Sequence, residues 1–244
     1  MTKDWFADWF DSPYYHILYK NRDEIEANLF ISRLVSFIEL PKESTVLDLA
    51  CGKGRHAKML FESGFNVLGV DLSPQSIEFA SQESVKGLDF QVHDMREVIQ
   101  GRKFTAIFNL FTSFGYFDSE AENLKMLDSI HSMLEKDGLL IIDFMNAVKV
   151  IDNLVEKEEK IVDDVKFDIE RRYDGQHIFK DIRFIDGKIN RHYTERVQAV
   201  KISDFEKMLT ATNFKILRTF GDFNLNDFDE TTSDRLIIIA QKKQ

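Results

Sequence analysis

The 244-residue chain is 43% hydrophobic and 30% charged, a globular composition with room for one large domain and none for a second catalytic domain of full size. With 32 Lys and Arg against 42 Asp and Glu, the formal net charge is −10, a poor footprint for a phosphate backbone, so no nucleic-acid partner is expected. A single cysteine, Cys51, excludes an internal disulfide and cysteine-ligated clusters; no run approaches the ~18 apolar residues of a membrane helix, no signal-peptide pattern opens the chain, and a cytoplasmic location without membrane contact is expected.

In chain order, the first feature is an aromatic cluster of Trp5, Phe6, Trp9, Phe10, Tyr14, Tyr15 and Tyr19. Asn21 to Leu40 follows as an amphipathic helix, with Ile25, Leu29, Leu34 and Ile38 predicted inward. Thereafter apolar runs bounded by turn signals alternate with amphipathic segments, the pattern of βαβ units and a parallel sheet. The predicted strands are Thr45 to Leu49, Asn66 to Asp71, Asp89 to Val92, Phe104 to Asn109 and Leu139 to Phe144. Ser73 caps a helix with Pro74 in its first turn, and Ser119-x-x-Glu122 is a capping box opening a helix toward Met133. Gly64, Gly87, Gly101 and Gly138 fall where a helix or turn should stop.

After Phe144 the period changes. Alternation over Val165 to Ile169, Ile178 to Phe184 and Ile189 to Val200 is split by Asp174-Gly175 and Asp186-Gly187, which predicts an antiparallel insertion of three or so strands. Ser203-x-x-Glu206 reads as a second capping box, Phe214 to Phe220 as a strand and Asp234 to Gln241 as the last. The expected organisation is a terminal segment and parallel core over 1–146, the insertion over 147–200, and a last helix and strands completing the core over 201–244.

The chemistry concentrates where an apolar strand, Val46 to Leu49, runs into Ala50-Cys51-Gly52-Lys53-Gly54 and a helix. Glycines there let a backbone approach a ligand and aim helix N-terminal N–H groups at it, although a tight turn needs no ligand at all. A second strand ends in Asp71, placed to accept hydrogen bonds from ribose hydroxyls. Gly52-x-Gly54-x-x-Ala57 also fits a dinucleotide loop, which keeps an NAD-dependent oxidoreductase open as an alternative. Against it, Asp48 would repel a pyrophosphate, Asp94 offers an acceptor suited to an adenine amino group, and the remaining length is spent on hairpins.

These residues resemble the class I S-adenosylmethionine-dependent methyltransferases, by motif over roughly Val46 to Phe144 and by pattern at the chain's end. The resemblance implies an α/β fold: a Rossmann-like, doubly wound seven-stranded sheet with helices on both faces and an antiparallel β insertion after strand five. It implies S-adenosyl-L-methionine as cofactor, held by Asp48, Ala50, Gly52 and Gly54 of the glycine motif, in which Ala50 replaces the first glycine. Asp71 with Leu72 would hold the ribose, Asp94 with Met95 the adenine, and Asn109, Leu110 and Phe111 the methionyl moiety. The insertion and the terminal aromatics look like the small-molecule branch that includes glycine and amino-sugar N-methyltransferases. A non-catalytic protein that binds the same cofactor remains the alternative from another class.

Methyl transfer is an in-line displacement, so positioning matters more than a dedicated base. The terminal aromatics are expected either to pack as a helix or to close as a lid, with Tyr15 on the cofactor. Tyr14, Tyr116 and His16 are the expected catalytic groups, and Lys20 and Arg22 are possible carboxylate partners. The rims Phe111 to Tyr116 and Asp143 to Asn146 suggest Phe114 and Asn146 for the substrate, with core packing as the bland reading of each phenylalanine. From the insertion, serving as a cover, Arg172 and Tyr193 are expected to reach the substrate, against the alternative of a solvated strand face. His56, His131, His177 and His192 lack metal-ligand spacing, so no metal is expected. The expected reaction is methylation of N or O of a small molecule by a monomer or homodimer.

Overall fold

The computed structural model describes residues 9–19 and 24–243. In chain order, α1 (Pro13–Leu18) and α2 (Glu24–Ile38) precede β1 (Thr45–Leu49), α3 (Arg55–Glu62), β2 (Asn66–Asp71), α4 (Pro74–Ala80), β3 (Leu88–Val92) and β4 (Phe104–Asn109). Then come α5 (Glu120–Met133), β5 (Leu134–Met145), α6 (Ala147–Asp152) and the inserted strands β6 (Lys157–Val162), β7 (Val165–Tyr173), β8 (His177–Asp186) and β9 (Ile189–Gln198). The chain closes with α7 (Ile202–Ala211), β10 (Phe214–Phe220) and β11 (Arg235–Lys242).

The main sheet has seven strands in the order β10-β11-β5-β4-β1-β2-β3, and the inserted sheet has four in the order β6-β7-β8-β9. The main sheet is parallel except for β11, which runs antiparallel to both β5 and β10. Period-two alternation sends Leu47 and Leu49 to one face, against α5 and α7, and Val46 to the other, against α2, α3 and α4. Asp48 shares the Val46 face and so points beneath the glycine-loop helix. The order of the strands reverses between β1 and β4, so the carboxyl ends of those neighbours open a crevice where ligands bind in doubly wound sheets. A third cluster joins Trp9 and Leu18 of the terminal segment to Phe167, Ile169, Ile182 and Phe184 of the inserted sheet.

Four local expectations are corrected. On α2, Leu34 and Ile38 face the core as expected, but Ile25 and Leu29 are exposed while Ala27, Phe30 and Ile31 are buried; two apolar stripes with helical spacing compete, and the one carrying Phe30 and Ile31 faces the core. β5 begins earlier and runs through Gly138, with Glu135 to Gly138 bulging between the Phe104–Leu134 and Ala106–Leu139 pairs and Asp137 taking φ 60°. The insertion has a fourth strand, β6, whose Lys-Glu-Glu-Lys run hides it from an apolar-pattern reading. The helix cap near 203 shifts to Lys201, whose N–H donates to the Asp204 carboxylate at 3.1 Å. Ser73 and Ser119 do cap α4 and α5, accepting from the N–H groups of Ser76 and Glu122. No described helix is long and apolar enough to cross a membrane. Trp5, Phe6, Lys20 and Arg22 lie outside the described residues, as does the side chain of His16.

Candidate functional site

The strand-to-helix turn after β1 is built from left-handed residues at alternate positions: Ala50 at φ 63°, Gly52 at φ 54° and Gly54 at φ 81°. Glycine adopts such angles without penalty, whereas Ala50 costs about 1–2 kcal/mol. The two glycines serve different ends. A Cβ on Gly54 would stand 2.6 Å from the Phe90 ring, so this residue is small to let α3 approach β3; a Cβ on Gly52 would meet nothing within 4 Å, because Gly52 faces a cavity.

Asp71, at the end of β2, braces that turn. One carboxylate oxygen accepts from the Gly52 N–H at 2.8 Å and the other from the Ser73 N–H at 2.9 Å. Burial pushes its carboxyl up, against the pull of those two N–H groups, and Asp11 adds a further upward push. Asp11 reaches across from the terminal segment and accepts a hydrogen bond from the Ser73 hydroxyl.

The cavity, of about 400 Å³, lies over the carboxyl ends of β1, β2 and β4, within the range of small-ligand clefts. Of the residues expected at the cofactor, Ala50, Gly52, Asp71, Leu72, Asp94, Met95, Leu110, Phe111 and Tyr15 line it, and Tyr116 joins them. Asp94 is already gripped by Arg96, with Nε and Nη2 at 3.0 and 2.7 Å; burial works to raise its carboxyl, but Arg96 wins and holds it below the ordinary range. Asp48, Gly54 and Asn109 stand behind the wall. Burial lifts the Asp48 carboxyl to about 7. One Asp48 oxygen and the Asn109 amide oxygen, both buried, have no hydrogen-bond partner among the described residues.

Five further side chains do not reach the cavity as expected. Phe114 is a core residue 4.9 Å from Phe205, and the Asn146 amide donates to the carbonyls of Glu230 and Ser233, pinning a loop. Arg172 stacks 3.6 Å over Phe179 on the outer face of the inserted sheet, and Tyr193 packs 4.7 Å from Trp9. Tyr14 likewise turns to the inserted sheet, 4.4 Å from Phe184, and a hydrogen bond with Asp186 raises its hydroxyl above the ordinary range.

Phe10 and Tyr19, expected only as members of the terminal aromatic cluster, join the expected Tyr15 and Tyr116 in completing the cavity. Phe10, Tyr15, Tyr19 and Tyr116 form a linked aromatic wall, with Phe10 5.0 Å from Tyr15 and 5.4 Å from Tyr116, and Tyr15 4.9 Å from Tyr19. Tyr19 carries the inserted sheet's contribution: its hydroxyl donates to Glu195 at 2.8 Å and accepts from Lys180 at 2.5 Å, while Trp9 Nε1 donates to the same carboxylate at 2.6 Å. On the opposite wall Arg55 lies 4.8 Å over the Phe111 ring, and His56 stacks on that ring at 4.7 Å. The position of Arg55 directly after Gly54, at the start of α3, was a usable signal; nothing local marks Lys180 or Glu195.

A family model described as a methyltransferase domain matches residues 40–194, from just before the glycine turn into β9. The chain belongs to that family. This methyltransferase is 26% identical to the putative methyltransferase YqeM of Bacillus subtilis (strain 168), across 91% of this chain and 94% of that protein. It is 28% identical to the glycine/sarcosine/dimethylglycine N-methyltransferase of Actinopolyspora halophila across 92% of this chain, which spans 40% of that protein. Its fold matches the S-adenosylmethionine-dependent methyltransferase of Clostridium acetobutylicum ATCC 824 with a TM-score of 0.79 at 22% identity, covering 98% of each chain. The protein is a methyltransferase with the fold of an S-adenosylmethionine-dependent enzyme, and the oxidoreductase alternative falls. The cavity fits that cofactor: a half-buried ribose-type acid at β2, an open glycine face at β1 and a guanidinium toward β4 occur along one crevice.

Proposed function

We propose that this methyltransferase acts on a small molecule, at nitrogen in preference to oxygen, with the aromatic wall of Phe10, Tyr15, Tyr19 and Tyr116 as the acceptor side of the cavity. The carrying observation is that this wall and the glycine turn line one continuous space. S-adenosylmethionine, when bound, supplies a methyl carbon on a sulfonium, open to in-line displacement. On the cofactor side, Asp71 would accept from ribose hydroxyls, Leu72 and Met95 would flank the purine, and Arg55 would pair with the amino-acid carboxylate. Aromatic faces favour cationic groups through the ring quadrupole, which suits both a sulfonium and an alkylammonium. Held on the axis of attack, a neutral amine needs no dedicated base, and positioning supplies much of the ~7–11 kcal/mol available from orientation. The name of the Actinopolyspora halophila relative, an N-methyltransferase, supports the choice of nitrogen.

The same reading makes residues 147–200 the cover of an acceptor site on the core formed by 1–146 and 201–244. It places the protein in the cytoplasm, as a monomer or homodimer without a nucleic-acid partner, in keeping with a net charge of −10. A methyl-transfer screen over small amines, glycine and sarcosine included, and matched alcohols tests it, with S-adenosylhomocysteine release as readout. Turnover with amines is expected; turnover confined to alcohols overturns the choice of nitrogen.

A further inference from the structure

Directly after β4 the chain does something costly. Phe111 and Thr112, neither of them glycine, take φ 58° and 60° in succession, a conformation that persists only where the surroundings enforce it and that clusters at ligand clamps. The enforcement comes from Asp143 near the end of β5, a carboxylate with no exposed surface. One of its oxygens accepts from the Phe111 N–H at 2.9 Å, and its main-chain carbonyl accepts from the Thr112 N–H at 2.9 Å. The other carboxylate oxygen accepts from Arg235 Nε at 2.8 Å, and the same guanidinium donates through Nη2 to the Thr112 hydroxyl at 3.0 Å. Arg235 is the first residue of β11 and pairs in register with Met145. Because β11 runs antiparallel to β5, its first residue lies where the parallel strands end, within reach of the crevice.

The turn sets a side chain that lines the cavity. The Phe111 ring packs against His56 at 4.7 Å, Arg55 at 4.8 Å and Phe223 at 5.7 Å, with Arg235 5.5 Å over the Phe223 ring. Along the sheet, Asp94 follows β3, Asp71 ends β2, Gly52 follows β1 and Phe111 follows β4. The acids that suit a nucleoside therefore occupy one end of the crevice, and Arg55 with Phe111 the other.

We propose that Asp143 and Arg235 are positioning residues that pre-set the Phe111–Thr112 turn, and through it Phe111 and Arg55, for the methionine half of S-adenosylmethionine and not for its adenosine half. The inference rests on the placement of the cofactor under Proposed function. Two probes separate the halves: S-adenosylhomocysteine carries both, whereas 5′-methylthioadenosine keeps the adenosine and the sulfur and lacks the amino-acid end. Arg235→Lys retains a charge opposite the buried carboxylate while losing the two-pronged geometry; Thr112→Gly adopts φ 60° freely and loses only the bond to Arg235. Arg235→Ala would strand a buried charge and is not used.

Calorimetry on the full chain is expected to show S-adenosylhomocysteine affinity falling about fivefold or more in Arg235→Lys and about threefold in Thr112→Gly, through lost preorganisation. Binding of 5′-methylthioadenosine should stay within about twofold of wild type if the clamp acts on one half alone. Should Arg235→Lys fail to fold, Thr112→Gly decides by itself. Unchanged S-adenosylhomocysteine affinity in folded variants overturns the proposal, and so does an equal loss for both probes, which marks a general structural role. A wild-type protein that binds neither probe overturns the cofactor placement, and the proposal with it.

Discussion

The two walls of the cavity are held by different kinds of bond. At the ends of β1, β2 and β4 the wall is backbone: three alternate left-handed residues, N–H groups drawn onto Asp71, and a buried carboxyl beneath. Across from it the wall is side chain: Tyr19, tied to Lys180 and Glu195 across 161 and 176 positions, and Trp9 tied to Glu195 across 186. A backbone wall leaves little room for substitution, because each residue is fixed by its conformation as well as its contacts. A side-chain wall can change its polar groups while the sheet below stays as it is. The difference suits a protein that keeps one cofactor and adapts its acceptor.

The largest effect is expected at Asp48, as a stability-versus-pH signature of the backbone wall. Its folded carboxyl titrates near 7 against an ordinary 3.8, so between those values the folded state holds a proton that the unfolded chain has released. Stability contributed by this group therefore falls as pH rises through that window, by on the order of 4 kcal/mol at about 1.36 kcal/mol per unit. Asp48→Asn should remove the dependence and gain stability relative to wild type at pH 8, measured by denaturant unfolding from pH 4 to 8. Parallel curves for the two proteins would mean that the carboxyl is ionised in the fold.

Next comes the contrast within the glycine turn. Gly54→Val, with a Cβ 2.6 Å from the Phe90 ring and a φ of 81°, is expected to cost about 1–3 kcal/mol from overpacking, with backbone strain added. Gly52→Ala meets open space and should cost about 1–2 kcal/mol of strain while weakening S-adenosylhomocysteine binding. Equal losses in thermal denaturation would erase the distinction between a packing glycine and a cavity glycine.

On the side-chain wall, Glu195→Gln keeps the shape and removes the charge that Trp9, Tyr19 and Lys180 share. A loss of about 1.5–3 kcal/mol of local stability is expected, the worth of hydrogen bonds to an ionised group. It should appear as faster hydrogen exchange in residues 9–19, with the exchange of β1 and β2 unaltered. Uniformly faster exchange would show that the two walls are one cooperative unit. The smallest effect is expected for Arg172→Ala, which removes one stacking contact on the outer face worth about 0.5–1 kcal/mol. A large loss of kcat/KM there would return the outer face to the acceptor site.

How much could be read in advance follows the same division. β1, β2, β4 and β10 run between the residues expected from their apolar patterns, and the glycine turn and Asp71 carry their signal within a short stretch of chain. The inserted sheet yielded its hairpins but not its inner face. Phe167 and Ile169 point inward, so alternation selects Arg171, whereas Arg172 pairs with Phe179 on the other side. Tyr193 shares the inner face yet sits opposite Ile182, two residues short of the Lys180–Glu195 pair beside Tyr19. That distance along the strand is set by register, which apolar periodicity does not encode. The same holds for α2, where Ile25 and Leu29 satisfied the helical spacing as well as the stripe that is buried.

The account turns on Asp71 as the acid of the cofactor site, and titration of S-adenosylmethionine into wild type and Asp71→Ala measures it most directly. Charge-assisted hydrogen bonds of ~1.5–3 kcal/mol each require an affinity loss of at least roughly tenfold, with Arg172→Ala binding as wild type does in the same assay. Equal affinity in a folded Asp71→Ala protein would show that Asp71 only braces the glycine turn and that the cofactor is held elsewhere.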